Sequence, residues 1–329
     1  MESGIPELSL ADYTRGDPGA RNAFSKELMR GSQRYGFIIL SDHPVSDTLL
    51  DQAYDLGAAL FAQTEEVKCR YIGGPRGYAP FGAEHAKYRT APDLKEFWQI
   101  GPERRAKGVD HAGQGRDETE LPNIWPESPP GFKETFLQLF DALQDTGQLI
   151  LEALTPGLEL AAGFFAPLVR DRNSVLRVLH YPPIPIDADA DSVRSAAHED
   201  INLITLLPAP RGSGLELLDR DGRWLPVAAE RNNLIVDSGD MLAHITNGVI
   251  PATTHRVVNP TGANVSRYSI PFFMHPNSDV VLSCLPSCVG AGAKYPDIRA
   301  GVFLEQRLRE IGLISRERHS REHQGGAEG

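Results

Sequence analysis

The chain has 329 residues, enough for one large domain or two, and its 41% hydrophobic residues allow a sizeable core. A formal net charge of −11 argues against a nucleic-acid surface, which would normally show a basic stripe, and no run of about 18 apolar residues is present to span a membrane. Three cysteines, Cys69, Cys284 and Cys288, form no disulfide framework and fit a reducing cytoplasm, and the stretch from Met1 to Pro6 has neither the basic nor the apolar region of a secretory signal.

In chain order, Phe24, Leu28 and Met29 line one side of a helix expected over 20–33. Tyr35-Gly36-Phe37-Ile38-Ile39-Leu40 is a β-rich run that stops at the turn signal Ser41-Asp42-His43-Pro44, where His43 reads as a loop residue. A second helix is expected over 46–62, with Ser46 at its N-cap and Leu49, Leu50, Ala53, Leu56 and Leu60 as its stripe. A loop-rich segment from Gly73 to Phe81 follows, and residues 104–122, with His111 inside, read as a solvated loop. Pro129-Pro130 precede a long helix from about Gly131 to Leu154, which Pro156-Gly157 should end and which should back a barrel.

After residue 170 the pattern changes to short β-rich runs separated by Gly, Pro, Asn and Asp: 175–181, 201–207, 214–219, 223–227, 233–236, 241–246, 253–258 and 266–274. These about eight strands imply a mainly β fold with flanking helices and a jelly-roll core. The whole chain, 1–329, reads as a single domain: a helix-rich part over 1–170, the jelly-roll core over 171–280, a helical part over 281–314 and a polar, disordered tail over 315–329. His319 and His323 in that tail lack thiolate or carboxylate support for zinc, Cys284 and Cys288 read as plain buried cysteines, and Gly290–Lys294 lacks the spacing of a P-loop.

Chemistry concentrates in His198-Glu199-Asp200. On an extended strand His198 and Asp200 share a face and Glu199 takes the other. A third ligand should come from far along the chain, and His255 is the best candidate. Two imidazoles and one carboxylate on one face of an octahedral ion leave open positions for a chelating cosubstrate and O2, which suits non-haem Fe(II). Magnesium or calcium would use more carboxylates, and structural zinc would usually bring four ligands. Arg267 and Ser269 are again two residues apart on a strand, so a guanidinium fork and a hydroxyl share a face and can receive a carboxylate. An iron site beside a carboxylate receptor is what a 2-oxo acid requires.

These pieces, with Leu176–Pro183, Asp221–Val227, Gly239-Asp240-Met241, Thr246-Asn247-Gly248, Thr254–Pro260 and Arg267-Tyr268-Ser269, resemble the isopenicillin N synthase-like branch of the Fe(II)/2-oxoglutarate-dependent oxygenases. Tyr35–Ile38 and Asp93–Phe97 extend the likeness to nearly the whole chain, and Glu199 replaces the Thr that many members carry. The resemblance implies a double-stranded β-helix that uses Fe(II), 2-oxoglutarate and O2. A small organic substrate would be hydroxylated or desaturated, with release of succinate and CO2. It implies His198, Asp200 and His255 as metal ligands and Arg267 with Ser269 on the distal carboxylate of 2-oxoglutarate. Tyr181 would lie beside the cosubstrate. Leu179 stands where plant relatives often have Asn, so one cosubstrate hydrogen bond should be missing.

Phe273 fits the family's substrate wall, and Tyr78 and Phe81 lie in the segment that covers the active-site mouth. His275 either contacts substrate or sits on the rim, and Asn202 continues the His198/Asp200 face. Alternation turns Arg177 inward, where it needs an anion: a substrate carboxylate or phosphate, or a fixed Asp or Glu. Two other readings remain, an oxidase that needs no 2-oxoglutarate and a non-catalytic barrel that binds a small molecule. The oligomeric state is not readable.

Overall fold

The computed structural model describes residues 4–84, 91–103, 121–189 and 191–310. The chain enters through β1 (Glu7–Ser9) and α1 (Leu10–Thr14), after which Asp17 and Pro18 start α2 (Pro18–Tyr35). The Asp17 carboxylate accepts the Ala20 N–H at 2.8 Å, and Pro18 takes the first helical position, where its missing N–H has no partner to lose. Gly36 ends the helix in left-handed backbone with φ 64°. Only glycine fits there, since a Cβ would stand 2.1 Å from the Thr253 hydroxyl oxygen. Thr253 Oγ1 donates to the Tyr35 carbonyl at 2.8 Å, which ties the end of α2 to the segment leading into His255.

β2 (Phe37–Ser41), α3 (Asp47–Phe61), α4 (Glu65–Cys69), β3 (Gly77–Ala79) and β4 (Glu96–Ile100) precede α5 (Phe132–Leu154). The three long helices lie where the apolar stripes place them, although the Ser46 side chain makes no capping bond at the N-terminus of α3. In α5 the stripe of Phe136, Leu139, Phe140 and Leu143 is buried, and Phe140 meets Phe272 edge-on at 5.0 Å. The rest of the chain supplies β5 (Val175–Tyr181), β6 (Ser195–His198), β7 (Ile204–Pro208), β8 (Leu215–Leu218), β9 (Trp224–Pro226) and β10 (Leu234–Ser238). Then come α6 (Asp240–Ile245), β11 (His255–Val257), β12 (Arg267–Ser269), β13 (Phe272–Met274), β14 (Val281–Leu282), β15 (Ile298–Arg299) and α7 (Ala300–Glu310).

The large sheet runs β1-β2-β10-β7-β13-β5-β4-β3, with β12 also paired to β5, and the smaller sheet runs β6-β11-β8-β9. One face of the large sheet packs against α2, α3 and α5 through the main apolar core. The other side of the same strands contributes to a second apolar cluster with the small sheet: Phe37, Phe97, Leu179 and Ile235 from one, Leu215, Leu217 and Val257 from the other. This is the double-stranded β-helix. Among the described residues no helix is long and apolar enough to cross a membrane.

Several elements differ from the sequence reading. Residues 241–246 are not a strand: α6 forms instead, burying Met241, Leu242, His244 and Ile245, because a short apolar run carries no period that separates helix from strand. The strand expected from 201 begins only at Ile204, since the Asn202 and Leu203 carbonyls accept the N–H groups of Met241 and Gly239 instead of a ladder partner. The run 266–274 is split at Ile270-Pro271, where proline has no N–H for the ladder and its carbonyl accepts Arg177 N–H at 3.0 Å. β1, β3, β4, β14 and β15 were not among the expected strands, so the 281–314 part is not helical throughout, and the extended stretch expected at His198–Asp200 is strand only up to His198. The segment around His111 and the tail with His319 and His323 lie outside the described residues.

Candidate active site

β6 and β11 run antiparallel with His198 directly opposite His255, and the two imidazole centroids stand 4.4 Å apart. Asp200 lies just beyond the end of β6, its Oδ1 3.8 Å from Nε2 of each imidazole. The three ligand atoms gather within 4.8 Å of one another, as in no other group of three or more His, Cys, Asp or Glu among the described residues. Each histidine uses Nδ1 on the carbonyl two residues earlier, His198 on Ala196 at 2.8 Å and His255 on Thr253 at 3.1 Å. These bonds place the proton on Nδ1 and leave both Nε2 lone pairs for a cation. Burial, and then the repulsion of His198, push the His255 pKa down to about 4, so the ring is neutral and able to ligate at neutral pH.

The remaining Asp200 oxygen accepts the Thr205 hydroxyl, which in turn accepts Asn202 Nδ2 at 2.8 Å. Asn202 thus reaches the carboxylate through Thr205. Glu199 turns away and accepts the Thr254 hydroxyl, as strand alternation requires. Asp237, which the sequence reading did not single out, lies behind His255 with its Oδ2 3.6 Å from Nδ1. Neither of its oxygens has a hydrogen-bond partner, and burial followed by the charge of Asp200 raises its pKa well above the usual carboxylate range.

β12 sets Arg267 opposite Tyr181 and Ser269 opposite Leu179. The Arg267 side chain is 1% exposed. Its guanidinium lies 4.9 Å from the Tyr181 ring centroid, Nη1 donates to Ser269 Oγ at 3.2 Å, and Nε has no partner. Among the described residues no carboxylate pairs with it. A buried guanidinium is costly without an anion, so this cradle fits the carboxylate of a bound acid.

The other residues expected near substrate are placed unequally. The Arg177 guanidinium sits 4.4 Å from the Phe97 ring centroid and 5.6 Å from that of Phe273. It has protein partners: Glu84 Oε1 at 3.1 Å and Gln99 Oε1 at 2.8 Å. Glu84 also faces Lys95 at 3.3 Å, and Lys95 reaches Asp93 at 2.8 Å. His275 is buried, gives Nδ1 to the Phe273 carbonyl at 3.1 Å, and is pushed down to about 4, chiefly by burial. The charges of Asp200 and Arg177 act on it as smaller influences. Phe81 is 39% exposed in the loop after β3.

Tyr78 is a correction. It pairs with Trp98 while Ala79 pairs with Phe97, so alternation puts Ala79 and Phe97 toward the interior with Leu179 and turns Tyr78 to the helix side. There its hydroxyl bonds Glu96 and also reaches Glu65 at 3.1 Å, and Lys68 Nζ stands 5.3 Å from its ring centroid. A tyrosine in a glycine- and proline-rich segment gave no sign of which side its short strand would present.

Two imidazoles and one carboxylate meeting at one point inside a double-stranded β-helix define a mononuclear non-haem metal oxygenase. The comparisons agree. The 2OG-Fe(II) oxygenase superfamily profile matches residues 172–276, and that of the non-haem dioxygenase in morphine synthesis N-terminal region matches residues 5–128. The chain is 34% identical over 306 residues to the 2-oxoglutarate-Fe(II) type oxidoreductase hxnY of Emericella nidulans, covering 89% of this chain and 86% of that one. The crystal structure of a 2OG-Fe(II) oxygenase family protein from Caulobacter crescentus superposes with a TM-score of 0.82 at 43% identity, covering 94% of this chain and 99% of that one. A full-length Neurospora crassa protein solved in complex with alpha-KG gives 0.80 at 28% identity over 94% and 98%. The chain belongs to the 2-oxoglutarate/Fe(II) oxygenase superfamily. It is a non-haem dioxygenase that depends on Fe(II), 2-oxoglutarate and O2.

Proposed function

We propose that His198, Asp200 and His255 hold the iron, that Arg267 and Ser269 receive the distal carboxylate of 2-oxoglutarate, and that Tyr181 flanks it. The observation that carries this assignment is the buried Arg267 guanidinium, which has no carboxylate partner among the described residues and heads a strand of the barrel that holds the triad. When bound, the iron supplies O2 activation and the oxidative decarboxylation that yields succinate and CO2 while a substrate C–H bond is oxidised. The protein positions and shields. The Nδ1 bonds of His198 and His255 aim both Nε2 atoms, and Thr205 holds Asp200 in place.

The substrate is a small polar molecule, hydroxylated or desaturated against a wall of Phe97, Phe273, Arg177 and His275, with Phe81 at the rim. In this wall the phenyl rings, with Arg177 lying over them, supply apolar surface, while neutral His275 offers an Nε2 acceptor and Arg177 offers donors. Related proteins support that class: the Neurospora crassa protein was also crystallised with alpha-KG and thymine, and a relative from Petromyces alliaceus is named a proline hydroxylase. A cytoplasmic site of action is supported by the three free cysteines.

The test is anaerobic titration of the Fe(II)-loaded protein with 2-oxoglutarate, followed by the visible charge-transfer band. A screen of small heterocycles and amino acids, scored by coupled succinate release, would then find the substrate. Absence of both the band and 2-oxoglutarate-dependent succinate would overturn the assignment.

A further inference from the structure

A second buried arginine, Arg194, bonds the segment leading into β12, and the sequence motifs did not reveal it. Arg194 directly precedes β6, whose Ser195 pairs with Val257, and its backbone N–H is held by Asn259 Oδ1 at 3.0 Å. Its side chain is buried, at 3% exposure. Nη2 donates to the carbonyl of Val265, two residues before Arg267, and Nε has no partner. Among the described residues no carboxylate pairs with this guanidinium either. Its electrostatic neighbours are Arg267 and Tyr181, the two residues that define the cradle; burial first, and then Arg267, lower its pKa.

Two buried guanidiniums that repel each other, without counter-charge, are unfavourable in a protein interior. Buried Lys95 shows the contrast: Glu84 at 3.3 Å and Asp93 at 2.8 Å neutralise it. A carboxylate brings lone pairs enough for two guanidiniums and a hydroxyl. We infer that Arg194 is a second cation of the subsite for the distal carboxylate of 2-oxoglutarate, acting with Arg267 to select a cosubstrate with a charged tail. The inference rests on the assignment of Arg267 to that carboxylate. Arg194 is a binding and selectivity residue in this reading and takes no part in the metal's own coordination.

The experiment compares two probes with the same chelating head, 2-oxoglutarate and 2-oxopentanoate, whose tail is uncharged. Affinities are measured calorimetrically on the full-length protein loaded with Mn(II), so no turnover is involved. Wild-type protein should prefer 2-oxoglutarate. Arg194→Met, which keeps the length of the side chain, should weaken 2-oxoglutarate about 10-fold or more, the range for a hydrogen bond to a charged group, and leave 2-oxopentanoate unchanged. Arg194→Lys should fall between, and it serves as the test should the Met variant not fold. A scaffold role would weaken both probes alike, so equal loss for both, or none for either, overturns the inference. A wild-type protein with no preference would overturn the Arg267 assignment instead, which keeps the two failures distinct.

Discussion

The two faces of β5 show how differently one strand can treat buried polar groups. On the helix side, His180 gives one ring nitrogen to Glu96 at 2.7 Å and the other to Ser266 at 3.0 Å, and lies between Phe61 and Tyr268. Glu96 also pairs with Lys68 at 2.5 Å and accepts the Tyr78 hydroxyl. On the barrel side, Tyr181 stands beside Arg267, whose Nε has no partner; Nε of Arg194 and, behind His255, both carboxylate oxygens of Asp237 lack hydrogen-bond partners too. A satisfied buried network rigidifies, whereas a buried polar atom without a partner calls for a ligand. Both sets are buried and charged, so burial and charge alone do not separate them; what differs between these two sets is their partners.

Mutating each face should break different properties. The largest effect is expected at the triad: Asp200→Ala, His198→Ala or His255→Ala should abolish turnover and metal binding with the barrel intact, beyond the roughly 10–100-fold that losing an outer partner of a metal ligand costs. Metal content and circular dichroism check this, and full activity in Asp200→Ala would refute the metal assignment. Thr205→Val calibrates it, with metal affinity falling about 10-fold because Asp200 loses the hydroxyl that fixes it. Across the strand, Glu96→Ala should lower stability by about 3 kcal/mol, since it removes the acceptor of buried His180 and leaves buried Lys68 with only the more exposed Glu65. Affinity for 2-oxoglutarate should not change. Chemical denaturation and calorimetry decide, and a Glu96→Ala protein of normal stability but poor 2-oxoglutarate binding would erase the distinction between the faces.

A middling effect sharpens the barrel side. Arg267→Ala should weaken 2-oxoglutarate binding by about 2–4 kcal/mol, because a desolvated charge-assisted pair is lost. Arg267→Lys should recover only part of it, since a point charge does not reproduce the fork. Unchanged affinity in Arg267→Ala would refute the assignment of Arg267 to the distal carboxylate.

Alternation put His198 and Asp200 on one side, although β6 ends at His198 and Asp200 meets the imidazoles from just beyond the strand, while His255 comes from β11 opposite; Arg267 and Ser269 do share a face of β12. The long helices were legible from their stripes. Other features depend on contacts remote in sequence. The apolar run 241–246 forms α6 because Asn202 and Leu203 already use the backbone N–H groups at Gly239 and Met241. Tyr78 faces the helices because of its register with Trp98, which no local pattern encodes. Arg194 and Asp237 read as ordinary charged residues at the edges of apolar runs, and only the absence of partners in three dimensions marks them. Arg177 needed an anion by the sequence argument, and the fold supplies Glu84 from a loop 93 residues away.

The smallest expected effect concerns His275 and pH. The ring is buried and held at about 4, below the ordinary value of 6.5, mainly because burial penalises the imidazolium. The unfolded chain therefore binds the proton more readily than the folded one. The stabilising contribution is fully present above pH 6.5 and is lost as pH falls toward 4, with each unit between these values worth about 1.4 kcal/mol. Between pH 7 and pH 5 the wild-type protein should lose about 2 kcal/mol through this residue. His275→Gln keeps a polar side chain without a titrating group, so its stability should fall by that much less over the same interval, while the other acid-sensitive groups, His255 among them, contribute equally to both proteins. Urea denaturation of the metal-free wild type and variant at the two pH values measures the difference. Parallel pH dependence in the two proteins would mean that His275 is solvated in solution, a rim residue rather than part of the buried wall.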